Sequence, residues 1–67
     1  MTIVFNGKDM KLSSPIPLEQ LLTDLGLLDQ PGVAVAQNQQ LIRRADWSST
    51  IVQDGDELEV LHATAGG

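Results

Sequence analysis

Only one stretch of this chain has the spacing of a helix, and that limits the fold more than any other feature. Leu18, Leu21, Leu22 and Leu25 fall at i, i+3, i+4 and i+7 and share one face, with Gln20, Thr23 and Asp24 on the other. Pro17 suits the first helical position, Glu19 the positive end of the helix dipole, and Gly26 a C-terminal cap. No capping side chain directly precedes Pro17, so the sequence leaves the helix start open by a residue or two. The four leucines are read as core. A single helix can cover only one face of a sheet, so the other face must meet water or a partner.

The rest of the chain alternates like strands. Thr2 to Asn6 places Ile3 and Phe5 on one side and Thr2 and Val4 on the other. Asn6-Gly7 follows, a strong hairpin signal, because a type I′ turn needs positive φ at both central residues. Met10 and Leu12 alternate with Lys11 in a second strand, which Ser13-Ser14-Pro15 ends. After the helix and a Pro31-Gly32 break, Val33-Ala34-Val35-Ala36 is apolar on both sides, as an interior strand would be. Asn38-Gln39 turns the chain into a short strand at Leu41-Ile42-Arg43. Ala45-Asp46-Trp47 reads as a helical turn that drops Trp47 onto the edge of the core, and Ile51 and Val52 add apolar surface. Asp54-Gly55-Asp56 is a tight turn, and Glu57 to Ala63 alternates as a last strand. The reading is α+β: a mixed sheet of four to five strands packed on one helix. Residues 1–63 form the domain, and 64–67 are expected to be a flexible tail.

Sixty-seven residues allow one domain and a small core. The chain has no cysteine, which excludes a disulfide framework, a thiolate metal site and a cysteine nucleophile. Its one histidine cannot build a zinc site alone. Lys8, Lys11, Arg43 and Arg44 are the only cations against nine carboxylates, for a net charge of −5. With no basic stripe, neither nucleic acid nor an anionic membrane is an expected partner. No apolar run approaches the roughly 20 residues of a membrane span. The opening residues turn polar too soon for a signal peptide, so the expected location is the cytoplasm. Beyond Arg44 the chain carries acids only, and that half is suited to a basic partner surface.

Few side chains suggest catalysis. Asp54, Asp56, Glu57 and Glu59 lack the ligand spacing of a calcium loop and read as an acidic turn and solvated strand edge. His62 has no orienting partner in the pattern and reads as a half-buried packing residue. The hydroxyls of Ser13-Ser14 and Ser48-Ser49-Thr50 lack any triad context, and no glycine-rich phosphate loop occurs.

The terminal Gly66-Gly67 pair has no use in packing and follows a strand, so it caps no helix. It makes physical sense if the terminal carboxyl is the reactive group. An ionised carboxylate is a poor electrophile; transfer of AMP from ATP gives an acyl adenylate with a good leaving group. A sulfur nucleophile can then displace AMP and leave a thiocarboxylate. Gly-Gly lets the tail thread a narrow channel without side-chain collision.

These features together resemble the thiamine-biosynthesis sulfur carriers of the ThiS type, within the ubiquitin-like β-grasp proteins. The marks span nearly the whole chain: Ile3-Val4-Phe5-Asn6-Gly7, the leucine helix, Val33-Ala34-Val35-Ala36 followed by Asn38, Asp46-Trp47, Asp54-Gly55-Asp56-Glu57-Leu58-Glu59 and Ala65-Gly66-Gly67. The resemblance implies that an adenylating, E1-like enzyme activates Gly67 with ATP and Mg²⁺, and that a persulfide-bearing donor supplies sulfur. It further implies that the thiocarboxylate passes to thiazole synthase, and that the chain is no enzyme and binds no cofactor or metal itself. Carriers for molybdopterin or another sulfur-containing metabolite share these marks, and a plain interaction domain with an accidental Gly-Gly end is the alternative of another class. Two local departures from the family pattern are Pro15 and Pro17 around Ile16, at the helix start, and Gln37-Asn38-Gln39-Gln40, which lacks an Asn-Gly turn.

The resemblance also fixes expectations for the structure. The first and last strands should lie parallel and adjacent at the centre of the sheet. The expected core is Ile3, Phe5, Leu12, Leu18, Leu21, Leu22, Leu25, Val35, Leu58 and Val60. On the face away from the helix, Val4 and Leu61 are expected side by side in a small apolar patch ringed by acids. With Ala63, Thr64 and Ala65 they form the expected partner surface, while Gly66 gives access and Gly67 carries the chemistry.

Overall fold

The structure, a computed structural model, describes residues 1–62. The opening hairpin joins β1 (Thr2–Phe5) to β2 (Lys8–Lys11) through Asn6 and Gly7, whose φ values of 49° and 81° are both positive, as the turn requires. A two-residue strand, β3 (Ile16–Pro17), leads into helix α1 (Leu18–Asp24). A second hairpin pairs β4 (Val33–Gln37) with β5 (Gln40–Ile42). A 3₁₀ turn (Arg44–Asp46) and the two-residue β6 (Ile51–Val52) precede β7 (Glu57–His62). The main sheet has five strands in the order β2-β1-β7-β4-β5, and β3 and β6 form a separate two-stranded ladder. β7 runs parallel to β1 and antiparallel to β4, so the last strand is central, next to the first.

The helix start is settled by contacts distant in sequence. Pro17 is the N-cap and offers no side-chain acceptor. Instead, the backbone N–H groups of Leu18 and Glu19 donate to the carbonyls of Thr50 (2.7 Å) and Trp47 (3.1 Å). Those donors, orphaned in any helix, are thus satisfied by the segment that leads into β6. At the other end Gly26, at φ 74°, donates to Thr23 and Leu27 donates to Leu22. This pairing closes a Schellman motif, with Leu27 packed against the core.

The core comprises Ile3, Leu18, Leu21, Leu22, Val35, Trp47, Val52, Leu58 and Val60. Three expected members fall outside it. Leu25 sits just past the last helical turn, where the Schellman turn leaves it 39% exposed. Phe5 ends β1 and Leu12 lies beyond β2, so both are half-buried against the core's rim. Two members were not foreseen as core. Trp47 is only 2% exposed, well inside the edge position expected for it. Its indole N–H donates to the Ile42 carbonyl at 3.1 Å, and the Arg44 guanidinium lies 4.8 Å from its ring centroid. Val52 is buried through the pairing of β6 with Ile16, a ladder too short to leave a periodic signal.

Candidate functional site

The helix covers one face of the sheet, and alternation assigns the residues of the other. Ile3, Val35, Leu58 and Val60 point to the helix, so Thr2, Val4, Ala34, Ala36, Glu57, Glu59 and Leu61 point away. Register then decides which of them meet. Val4 lies beside Glu57 on β7 and Asp9 on β2, whereas Leu61 lies four residues further along β7, opposite Ala34. The expected contact of Val4 with Leu61 is therefore corrected. The cause is the way the start of β7 is tied to the start of β1. The Gly55 N–H donates to the Thr2 carbonyl at 2.9 Å, and the Thr2 N–H donates to the Asp54 carboxylate at 2.8 Å. The two parallel strands begin level, and β1 ends before β7 reaches Leu61.

The neighbour of Leu61 across the outer face is Leu41. Ala36 pairs with Leu41 on one side and Glu59 on the other, and Ala34 pairs with Leu61. Leu41 and Leu61 are 69% and 64% exposed and stand either side of a floor made by Ala34 and Ala36. Two small side chains between two large ones make a shallow apolar depression, and Glu59 on the same face puts negative charge beside it. Leu41 was legible as part of a strand, but its place in this patch depends on the β4–β7 register, which local pattern does not reveal.

The acidic turn that precedes β7 is structural. The Asp56 carboxylate accepts hydrogen bonds from the Gln53 N–H (2.8 Å), the Gln37 amide (2.8 Å) and the Asn38 amide (3.1 Å). Partial burial pushes its pKa up, but these three hydrogen bonds outweigh that effect and hold it below the ordinary aspartate value. Asn38 also accepts from the Glu57 N–H at 2.9 Å, which fastens the β4–β5 hairpin to the start of the central strand. Among the described residues no group of three or more His, Cys, Asp or Glu side chains is placed to hold a metal ion. No helix there is long and apolar enough to cross a membrane.

β7 ends at His62, on the side of the molecule to which Leu61 also belongs, and the chain continues as Ala63-Thr64-Ala65-Gly66-Gly67. Those five positions, which the sequence singles out for the chemistry and its access, lie outside the described residues.

A mixed five-stranded sheet wrapped on one helix, with its first and last strands parallel at the centre, defines a ubiquitin-like β-grasp protein. Within that class the ThiS family model matches residues 3–67, and the chain belongs to the ThiS family. It is 39% identical to the sulfur carrier protein ThiS of Escherichia coli (strain K12), over the full length of both chains. It is 34% identical to a segment of a thiazole synthase from Paramagnetospirillum magneticum, matching all of this chain but 20% of that protein. Among solved structures, the crystal structure of the thiamine biosynthesis protein ThiS from Geobacter metallireducens superposes with a TM-score of 0.87 at 29% identity, with both chains fully covered.

Proposed function

We propose that this protein is the sulfur carrier of thiamine biosynthesis and that its working group is the α-carboxylate of Gly67. A carboxylate oxygen attacks the α-phosphorus of ATP, pyrophosphate leaves, and Gly67 becomes an acyl adenylate. The terminal sulfur of a persulfide attacks the carbonyl carbon and AMP departs with the oxygen. A thiol then cleaves the S–S bond, leaving a thiocarboxylate on Gly67 and a disulfide behind. The thiocarboxylate is a softer and better nucleophile than the carboxylate it replaced, which suits sulfur delivery to thiazole synthase.

In this reading the adenylating enzyme supplies Mg²⁺, ATP and every acid or base, in a cytoplasm that holds ATP. The carrier is a co-substrate and not a catalyst. Residues 1–63 are the handle, 64–67 the working end, and Gly66 the point of passage. Leu61 and Leu41, with Ala34, Ala36 and the nearby Glu59, form the docking face, and Ala63, Thr64 and Ala65 extend it toward the enzyme. Val4 belongs to the same sheet face further back, beside Glu57. The observation that carries the proposal is the family match running through to Gly67 in a chain whose central strand leads straight into that end. The test is intact mass after incubation with ATP, the adenylating enzyme and a persulfide donor. The account predicts replacement of one oxygen by sulfur, located at Gly67 by fragmentation. An unchanged mass with an enzyme that activates the Escherichia coli carrier contradicts it.

A further inference from the structure

The parallel ladder between β1 and β7 stops short of the end of β7, and a side chain stops it. Val4 donates to the Asp56 carbonyl and Asn6 to the Leu58 carbonyl, both at 2.9 Å. The next rung would take the Val60 N–H to the backbone of Asn6. That N–H donates instead to the Asn6 side-chain oxygen at 2.8 Å, as the chain turns away through Gly7. On the opposite side of β7, Asn38 donates to the Glu57 carbonyl at 2.8 Å, and the register then assigns Glu59 and Leu61 to bonds with β4. By alternation, the backbone groups of Val60 and His62 point to the β1 side. Among the described residues, none donates to the Val60 carbonyl and none accepts the His62 N–H. The central strand of the sheet therefore has an open edge where it leads into the tail.

The tail itself offers a partner little but backbone. Ala63-Thr64-Ala65-Gly66-Gly67 carries no side chain larger than threonine, so an enzyme that holds it extended must do so largely through main-chain hydrogen bonds. A ladder of that kind needs a rigid first rung. The Val60 carbonyl and His62 N–H are held in place by β4 on the other side of β7.

Building on the carrier function proposed above, we infer that an extended segment of the adenylating enzyme adds as a strand along the β1 side of β7. It pairs first with Val60 and His62 and continues along the tail toward Gly67. Asn6 ends the intramolecular ladder at the point where the intermolecular one begins. Main-chain pairing fixes the direction and reach of a tail that has no side chains to grip.

The test uses total synthesis of the full chain with the His62 amide replaced by an ester, which removes one N–H and no side chain. Because that N–H has no partner among the described residues, thermal stability should match the all-amide protein. KM for ATP-dependent adenylation should rise about three- to tenfold, the range for one lost hydrogen bond. In parallel, the His62 amide should exchange with solvent at least about tenfold more slowly in the complex with the enzyme than in the free protein. An ester protein with unchanged KM, or a His62 amide that stays unprotected in the complex, overturns the inference while the all-amide protein still reacts. Slowed exchange that appears with rising carrier concentration and no enzyme also overturns it, by assigning the edge to a second copy. Failure of the all-amide protein to be adenylated is a different result and rejects the carrier function itself.

Discussion

At the scale of single residues, the two hairpin turns show what a sequence can and cannot announce. Asn6-Gly7 advertises its turn because both residues tolerate positive φ. Asn38 and Gln39 adopt the same kind of backbone, at φ 51° and 68°, without a glycine. Glutamine carries no such signal, and its Cβ crowds the following carbonyl in this region. What holds the turn there is the double fastening of Asn38 to Glu57 and Asp56. Gln39→Gly should therefore raise stability by about 0.5–1 kcal/mol in a urea titration; a loss of stability would refute the claim of strain. Asp56 makes a prediction of opposite kind. Its folded pKa lies below its unfolded one, so its contribution is present above the ordinary aspartate pKa and lost as pH falls through the lowered folded value. Asp56→Asn should flatten the acid limb of the stability profile, and an unchanged limb would show that the three hydrogen bonds carry no linkage.

At the scale of elements, the helix was legible in its face and not in its ends. The leucine spacing identifies Leu18, Leu21 and Leu22 correctly because burial on one face is what that spacing encodes. Its start was open because the capping acceptors are the carbonyls of Trp47 and Thr50, which no local pattern around Pro17 can reveal. Its end was misjudged by one leucine because Gly26 closes the Schellman turn and leaves Leu25 outside. Leu22→Ala should cost about 2–5 kcal/mol and Leu25→Ala well under half of that. Equal losses in the same denaturant series would contradict the burial assigned to the two. Trp47 escaped full recognition for a related reason: a 3₁₀ turn has too few residues to show periodicity, so its depth follows only from packing.

At the scale of the whole molecule, the sheet leaves one face uncovered and its central strand leads toward a glycine pair. The tail was the most legible part of the site, because Gly66-Gly67 has no packing use. The docking face was half legible: alternation points Leu61 outward, but only the Asp54–Thr2 tie between β7 and β1 reveals that its neighbour is Leu41 and not Val4. Leu41→Asp and Leu61→Asp should each raise KM for the adenylating enzyme about fivefold or more with little change in stability, because both side chains are already solvated. Unchanged KM in both would make the patch incidental. Gly66→Val should keep the carboxylate and the fold yet block loading, since a β-branched side chain fills space a glycine leaves open. The central claim is that the Gly67 carboxylate is the group that reacts, and ATP–pyrophosphate exchange by the adenylating enzyme with a protein lacking Gly67 tests it most directly. The account predicts unaltered thermal stability and no carrier-dependent exchange; exchange at the full-length rate would contradict it.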